Sequence, residues 1–182
     1  MTRQRRPVAL GFALVTLLSG CGTRTPVPDV VGETARIDSV VRENIQWAVR
    51  KDTTRLYRTV AQDSTLFWFS PDSAGTVSGF PAFRRQVEGL FMNPAFVAVG
   101  SAFREMRIHL SHGGDVAWWS CILDDRNTWQ GRPADWENVR WTGVLEKRDG
   151  RWVIVQMHFS RSEEAMARAL RPPGTATRTR QP

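Results

Sequence analysis

The stretch Arg140 to Ser160, RWTGVLEKRDGRWVIVQMHFS, constrains the fold more than any other part of the chain. Trp141, Val144, Leu145, Trp152, Val153, Ile154, Val155 and Phe159 are residues that favour a pleated, half-buried surface, and Arg148-Asp149-Gly150 between them is turn chemistry. The stretch predicts a hairpin, and the loop length decides which faces match. A two-residue Asp149-Gly150 turn would pair Arg148 with Arg151, placing Leu145 on the face of Ile154 and Trp141 beside His158. A three-residue loop, with Gly150 as a left-handed bulge, pairs Lys147 with Arg151. Trp141, Gly143 and Leu145 then share a face with Val153, Val155, Met157 and Phe159, while Arg140, Thr142, Val144, Glu146, Trp152, Ile154, Gln156 and His158 take the other. The second register separates a wholly apolar face from a mixed one, as a sheet packed on a core requires, and it is the expectation adopted.

The same residues, in the pattern R-W-T-x-V-L-x-K-R-D-G-R-W-x-I-V-x-x-H-F-S, resemble the last two strands of SnoaL-like domains in the NTF2-like superfamily. They also resemble the end of the association domain of calcium/calmodulin-dependent kinase II. Upstream, W-A-x-R-K-D-T-x-x-L-Y-R-x-V-A-x-D-S, from Trp47 to Ser64, is similar to the opening of a SnoaL-like domain, so the resemblance spans Glu33 to Ser160. It implies an α+β domain: an NTF2-like cone in which a curved, mainly antiparallel sheet wraps around N-terminal helices. It implies little about function, because one fold hosts isomerases, cyclases, dehydratases, binding modules and oligomerisation domains.

The order of elements agrees. Ile37, Val40, Val41, Asn44, Ile45, Trp47 and Ala48 fall at helical spacing over Thr34 to Arg50, and Asp52 suits the N-cap of a short helix with Leu56, Tyr57 and Val60. Strand one is Ser64 to Ser70, and a helix follows from Gly79, with Pro81 in its first turn, to Asn93-Pro94. Strand two is Phe96 to Ser111, bending at Gly100, and strand three is Val116 to Asp125. Arg126 to Asn138 reads as a long packed loop, and Ser160 with Glu163 as a capping box for a last helix that Pro172-Pro173-Gly174 stops. Helices gathered on one face of a sheet make an α+β domain.

The ends read differently. Arg3, Arg5 and Arg6 precede an apolar stretch, Val8 to Leu18, too short to span a bilayer, which ends in Leu18-Ser19-Gly20-Cys21. This resembles the lipobox of bacterial lipoproteins and implies lipidation of Cys21 on a mature chain anchored in the cell envelope. Gly22 after the cysteine favours the outer membrane where the cell has one. The expected organisation is a signal peptide over 1–20, a tether over 21–32 with Pro26 and Pro28, the domain over 33–160, and a helix with a basic tail over 161–182. The whole chain has 25 basic and 18 acidic side chains, net +7, but residues 33–160 carry 16 and 15. A nucleic-acid role needs a basic patch on the domain itself, so none is expected.

Candidate chemistry is sparse. Cys121, inside an apolar strand, reads as a small hydrophobe. His109 and His112 fall on opposite faces of a strand end, and the chain lacks metal-binding, phosphate-loop and nucleophile-elbow motifs, so neither metal nor cofactor is expected. The apolar face that would line the cone offers Trp119, Leu123, Trp141, Gly143, Val155, Met157 and Phe159 as pocket residues. In the kinase association domain the positions matching Leu123, Gly143 and Phe159 hold pocket arginines; their absence here argues against a small carboxylate ligand and leaves room near Gly143. Isomerases and cyclases of the superfamily work with an acid in the cone, for which Asp125 and Asp72 are candidates, with Tyr57 as an oxyanion donor. Two classes of function follow: non-catalytic binding of a small apolar molecule or partner protein, which is the reading adopted, and acid–base catalysis on a small hydrophobic substrate. A third, pure dimerisation, rests on the mixed face, where Trp118, Trp152, Ile154 and His158 form the expected homodimer interface.

Overall fold

The computed structural model describes residues 29–72, 75–163 and 166–167. Asp29 caps the first helix through Oδ1, which accepts the Gly32 amide at 3.0 Å. Helix α1 therefore begins at Val30, inside the stretch read as tether, and runs to Gln46 before tightening into a 3-10 turn over Trp47–Val49. Asp52 caps α2 (Thr53–Arg58), its Oδ1 accepting from the Arg55 amide. Strands β1 (Phe67–Phe69) and β2 (Val77–Ser78) precede α3 (Phe80–Gln86), whose end widens into a π turn over Val87–Phe91. The long strands follow: β3 (Phe96–Leu110), β4 (Val116–Trp129), the short β5 (Arg132–Pro133), β6 (Trp136–Arg148) and β7 (Arg151–Arg161).

The strands form one mixed sheet in the order β2-β1-β7-β6-β4-β3, with β5 beside β4 and β1 parallel to β7. The sheet curls around the helices into the expected cone. Its inner face and the helices share one core that includes Ile37, Val41, Leu56, Leu66, Leu123, Val139, Leu145 and Ile154, each 1 % exposed or less.

The hairpin combines both registers considered from sequence. Asp149 and Gly150 have φ of 50° and 76°, a two-residue turn of the primed type that matches strand twist, and Arg148 pairs with Arg151. Leu145 then pairs with Ile154, but Val144 pairs with Gln156, so Val155 is an extra residue on β7. Beyond this bulge Trp141 and Gly143 share their face with Phe159 and Met157, as the second register has it. Nearer the turn the faces are those of the first. Trp152 and Ile154, expected on the outer face, consequently turn inward and are 3 % and 0 % exposed. Trp152 donates its indole N–H to Glu33 Oε2 at 2.6 Å, and Glu33 Oε1 pairs with Lys147 Nζ at 2.6 Å and Arg36 at 2.9 Å. This buried cluster fastens the start of α1 to the hairpin. Trp118 remains outward with His109 stacked on it, ring centroids 5.7 Å apart.

The segment Arg126–Asn138 is not a long loop. Strand β4 continues to Trp129, and Gln130-Gly131, with φ of 51° and 75°, makes another tight two-residue turn into β5. Bulges on β3, at Ala98/Gly100 and Arg104/Arg107, bend that strand; the first includes the bend expected at Gly100. At the other end, β7 runs through Ser160, so Ser160 is not a helix cap; the Met166 amide bonds the Ser162 carbonyl instead. Cys21 and most of the tail lie outside the described residues. Among the described residues no helix is long and apolar enough to cross a membrane.

Candidate functional site

The helices do not fill the open end of the cone. A half-open cavity of about 90 Å³ remains there. On the helical side Ile45, Trp47, Ala48 and Leu56 form its wall, with Phe83, Val87 and Phe91 from α3 and the π turn. The π turn's Met92 N–H bonds back to Val87 O, five residues earlier. The sheet supplies Trp68, Phe96, Leu123, Trp136, Met157 and Phe159. The rings lock one another: Trp68 stacks on Phe91 with centroids 6.2 Å apart, Trp136 meets Phe159 edge-on at 5.5 Å, and Trp47 meets Phe91 edge-on at 6.1 Å.

Three polar side chains reach this apolar space: Asn44, Asp125 and Asn127. Alternation along β4 places Asp125 and Asn127 on the inner face after Cys121 and Leu123. Burial pushes the Asp125 carboxyl above the usual carboxylate range; the Asn127 amide works against that shift, and the negative charge of Asp135 adds to it. Asn127 Nδ2 donates to Asp125 Oδ2 at 3.0 Å, and the Asn127 backbone N–H donates to Asp135 Oδ1 at 2.7 Å. Asn127 Oδ1, though buried, and the buried Trp68 indole N–H make no hydrogen bond within the protein. Asn44 is spoken for: its amide donates to Thr59 Oγ1 at 2.8 Å, and Thr59 donates to the Leu56 carbonyl. Among the described residues no lysine or arginine forms an ion pair with Asp125. The arrangement can enclose a small apolar body, offer it one acceptor, and hold or release one proton.

The residues singled out from sequence scatter. Leu123, Met157 and Phe159 line the cavity, but Trp119, Trp141, Gly143 and Val155 do not. The room expected near Gly143 is taken by the Trp119 indole, whose Cζ3 lies 2.5 Å from where a Gly143 Cβ would sit. Trp119 and Trp141 meet edge-on at 5.2 Å and pack the closed end of the cone, while the cavity lies at its mouth. Of the acid–base candidates only Asp125 reaches the cavity. Tyr57 packs edge-on against Phe80 at 5.2 Å, away from the cavity. Asp72 is exposed in a turn, its Oδ1 accepting the Gly75 amide at 2.7 Å. Cys121 is buried, and desolvation pushes its thiol up to about 12, which leaves no thiolate for nucleophilic attack. No cluster of three or more metal-binding side chains occurs among the described residues. Asn127 and Trp136 are not legible as site residues in the sequence because they fall in the segment expected as a packed loop; Trp47 and Trp68 carried no signal beyond their apolarity.

Comparison with known proteins agrees with this architecture. An NTF2-like protein of unknown function from Prochlorococcus sp. NATL2A superposes with a TM-score of 0.58 at 16% identity, covering 74% of this chain and 96% of that one. A hexachlorocyclohexane dehydrochlorinase from Novosphingobium barchaimii LL02 gives 0.57 at 16% identity, over 72% and 87%. A CamKII hub homology domain from Chlamydomonas reinhardtii gives 0.55 at 20% identity, over 71% and 98%. At such identities the likeness is one of fold. No curated protein matches by sequence. The model of the SnoaL-like domain family matches residues 37–162, and the chain belongs to that family.

Proposed function

We propose that the chain is a non-catalytic binding module whose cavity at the mouth of the cone takes one small, mostly apolar molecule. The observation that carries this reading is a half-open cavity walled by aromatic side chains, with a single carboxyl, Asp125, that no lysine or arginine among the described residues pairs with. Tryptophan fluorescence reports on it directly, since Trp47, Trp68 and Trp136 form part of the wall. Titration with small aromatic and aliphatic alcohols should give saturable changes. Ala48→Phe, which places a ring in the cavity from a partly buried position, should weaken binding at least tenfold while the far-ultraviolet spectrum stays native. Probes that bind both proteins equally refute the reading.

A second reading, acid–base catalysis, is favoured by one specific feature: a desolvated carboxyl suits proton transfer. The donors that line the cavity beside it are the Trp68 indole N–H and the amides of Asn44 and Asn127, with no hydroxyl or imidazole among its lining residues.

We further propose that the domain is held at the bacterial envelope, in the outer membrane where there is one, by lipidated Cys21, in support of which stands the Leu-Ser-Gly-Cys motif. It pairs with a second copy through the outer sheet face. Trp118 and Phe69 are 47 % and 49 % exposed there, beside His109 and His158, and these replace Trp152 and Ile154 in the expected interface.

A further inference from the structure

The Asp125 carboxyl lines the same cavity as the rings of Trp47, Trp68, Phe91, Trp136 and Phe159, with no arginine or lysine paired to it among the described residues. Water cannot solvate it freely, and among the described residues the one side chain that donates to it is the Asn127 amide. A further negative charge, on Asp135, adds a negative field at this carboxyl. Aromatic faces attract cations through the ring quadrupole, and the attraction grows when the site is desolvated. A neutral apolar ligand would leave the carboxyl with its single hydrogen bond. A ligand that brings a positive charge within alkyl groups would satisfy the carboxyl, the rings and the negative field together. A cavity of about 90 Å³ suits a head group of a few heavy atoms, not a polycyclic molecule.

We propose that the cavity takes a small organic cation, an alkylammonium or quaternary ammonium head, held by Asp125 and packed against Trp47, Trp68, Trp136, Phe91 and Phe159. The inference rests on the binding reading above and narrows it to a chemical class. The cavity's lining residues include no arginine, lysine or histidine, so none of them repels a cation.

The test compares choline with its uncharged isostere 3,3-dimethyl-1-butanol, which has the same shape, by calorimetry and tryptophan fluorescence on the full chain, with sodium chloride as the ionic-strength control. Choline should bind at least tenfold more tightly than the alcohol. Asp125→Asn should bring the two within about threefold by weakening choline alone. Trp136→Leu should weaken choline more than the alcohol, which guards against a variant that merely loses its fold, as would thermal melts of each protein. Equal or tighter binding of the alcohol to the wild type overturns the cation inference and leaves the apolar-binding reading intact. Binding of small aromatic alcohols without choline does the same. Failure of every probe overturns both.

Discussion

A single added methyl group should decide whether the closed end of the cone is packed as described. In Gly143→Ala the new Cβ would lie 2.5 Å from Trp119 Cζ3 and closer still to Trp119 Cη2 and the Gln156 carbonyl oxygen. Carbon atoms in good contact sit about 3.5–4.0 Å apart, so something must move by more than an ångström. Neither obstacle is free to do so. Trp119 is 2 % exposed and wedged edge-on against Trp141, and Gln156 O belongs to β7 beside the Val155 bulge. Overpacking of this kind costs roughly 1–3 kcal/mol, and two fixed obstacles put the variant at the upper end. Removing glycine's freedom in the unfolded chain returns at most about 1 kcal/mol. A net loss of about 2 kcal/mol lowers the melting temperature of a domain this size by roughly 5–10 °C. Trp119→Phe removes the two indole atoms, so the double variant should lose less than the sum of the two single losses, by about 1 kcal/mol; the carbonyl remains, and recovery is partial. Thermal melts of the four proteins complete the cycle. Strict additivity, or a Gly143→Ala melt within about 2 °C of wild type, refutes the packing argument.

Other perturbations follow from the same structure. The folded-state pKa of Asp125 is raised, so the native state holds its proton to higher pH than the unfolded chain, and stability falls as pH rises through that interval. Asp125→Asn should therefore raise the melting temperature at neutral pH, with the gain vanishing below the ordinary carboxylate range; a variant less stable than wild type at pH 7 contradicts this. Glu33 has the opposite sign: hydrogen bonds from Lys147 and Trp152 lower its pKa, so its stabilisation is present above the usual glutamate range and is lost as pH falls. Glu33→Gln should cost about 2 kcal/mol at pH 7 and almost nothing in acid, as followed by urea unfolding. Cys21→Ser should leave an unprocessed precursor in cells, and cleavage and release like the wild type would contradict lipidation. Light scattering should show twice the monomer mass for the wild type and the monomer mass for Trp118→Glu; a wild-type monomer at high micromolar concentration sinks the dimer.

Alternation made most of the sheet legible. Ala117, Trp119, Cys121 and Leu123 face the core because every second residue of β4 must, and Trp118 faces out for the same reason. The hairpin was legible in the faces of its outer half, but not in its turn, where the two-residue Asp149-Gly150 turn replaces the three-residue loop adopted from sequence, nor in the apolar run that follows. Trp152-Val153-Ile154-Val155 is apolar at every position, so it has no period of two, and sequence cannot say where an extra residue enters. The bulge at Val155 supplies it, and with it two residues change faces. Gln130-Gly131 escaped because asparagine and aspartate, not glutamine, are the usual first residues of such a turn. That omission hid Asn127 and Trp136, and with them half the surroundings of Asp125. The bond between Trp152 and Glu33 joins positions 119 residues apart, and no local pattern records it.

Two acids among the described residues show why Asp125 reads as a functional group and Glu33 as a structural one. Glu33 is 8 % exposed and every part of its carboxylate is answered: Lys147 and Arg36 on one oxygen, the Trp152 indole on the other, with its pKa drawn down. A buried charge compensated this fully holds α1 to the sheet and needs nothing from outside. Asp125 is also withdrawn from water, yet its one side-chain donor is an amide whose own oxygen is left without a hydrogen bond, and its pKa is pushed up. A hydrophobic residue in its place would fill the mouth of the cone and stabilise the fold. Local rules broken without local compensation are where sites occur, since the missing partner arrives with the ligand. On the binding reading proposed above, the open cavity beside Asp125, and the packed indole where Gly143 suggested space, put that partner at the mouth of the cone and not in its depth.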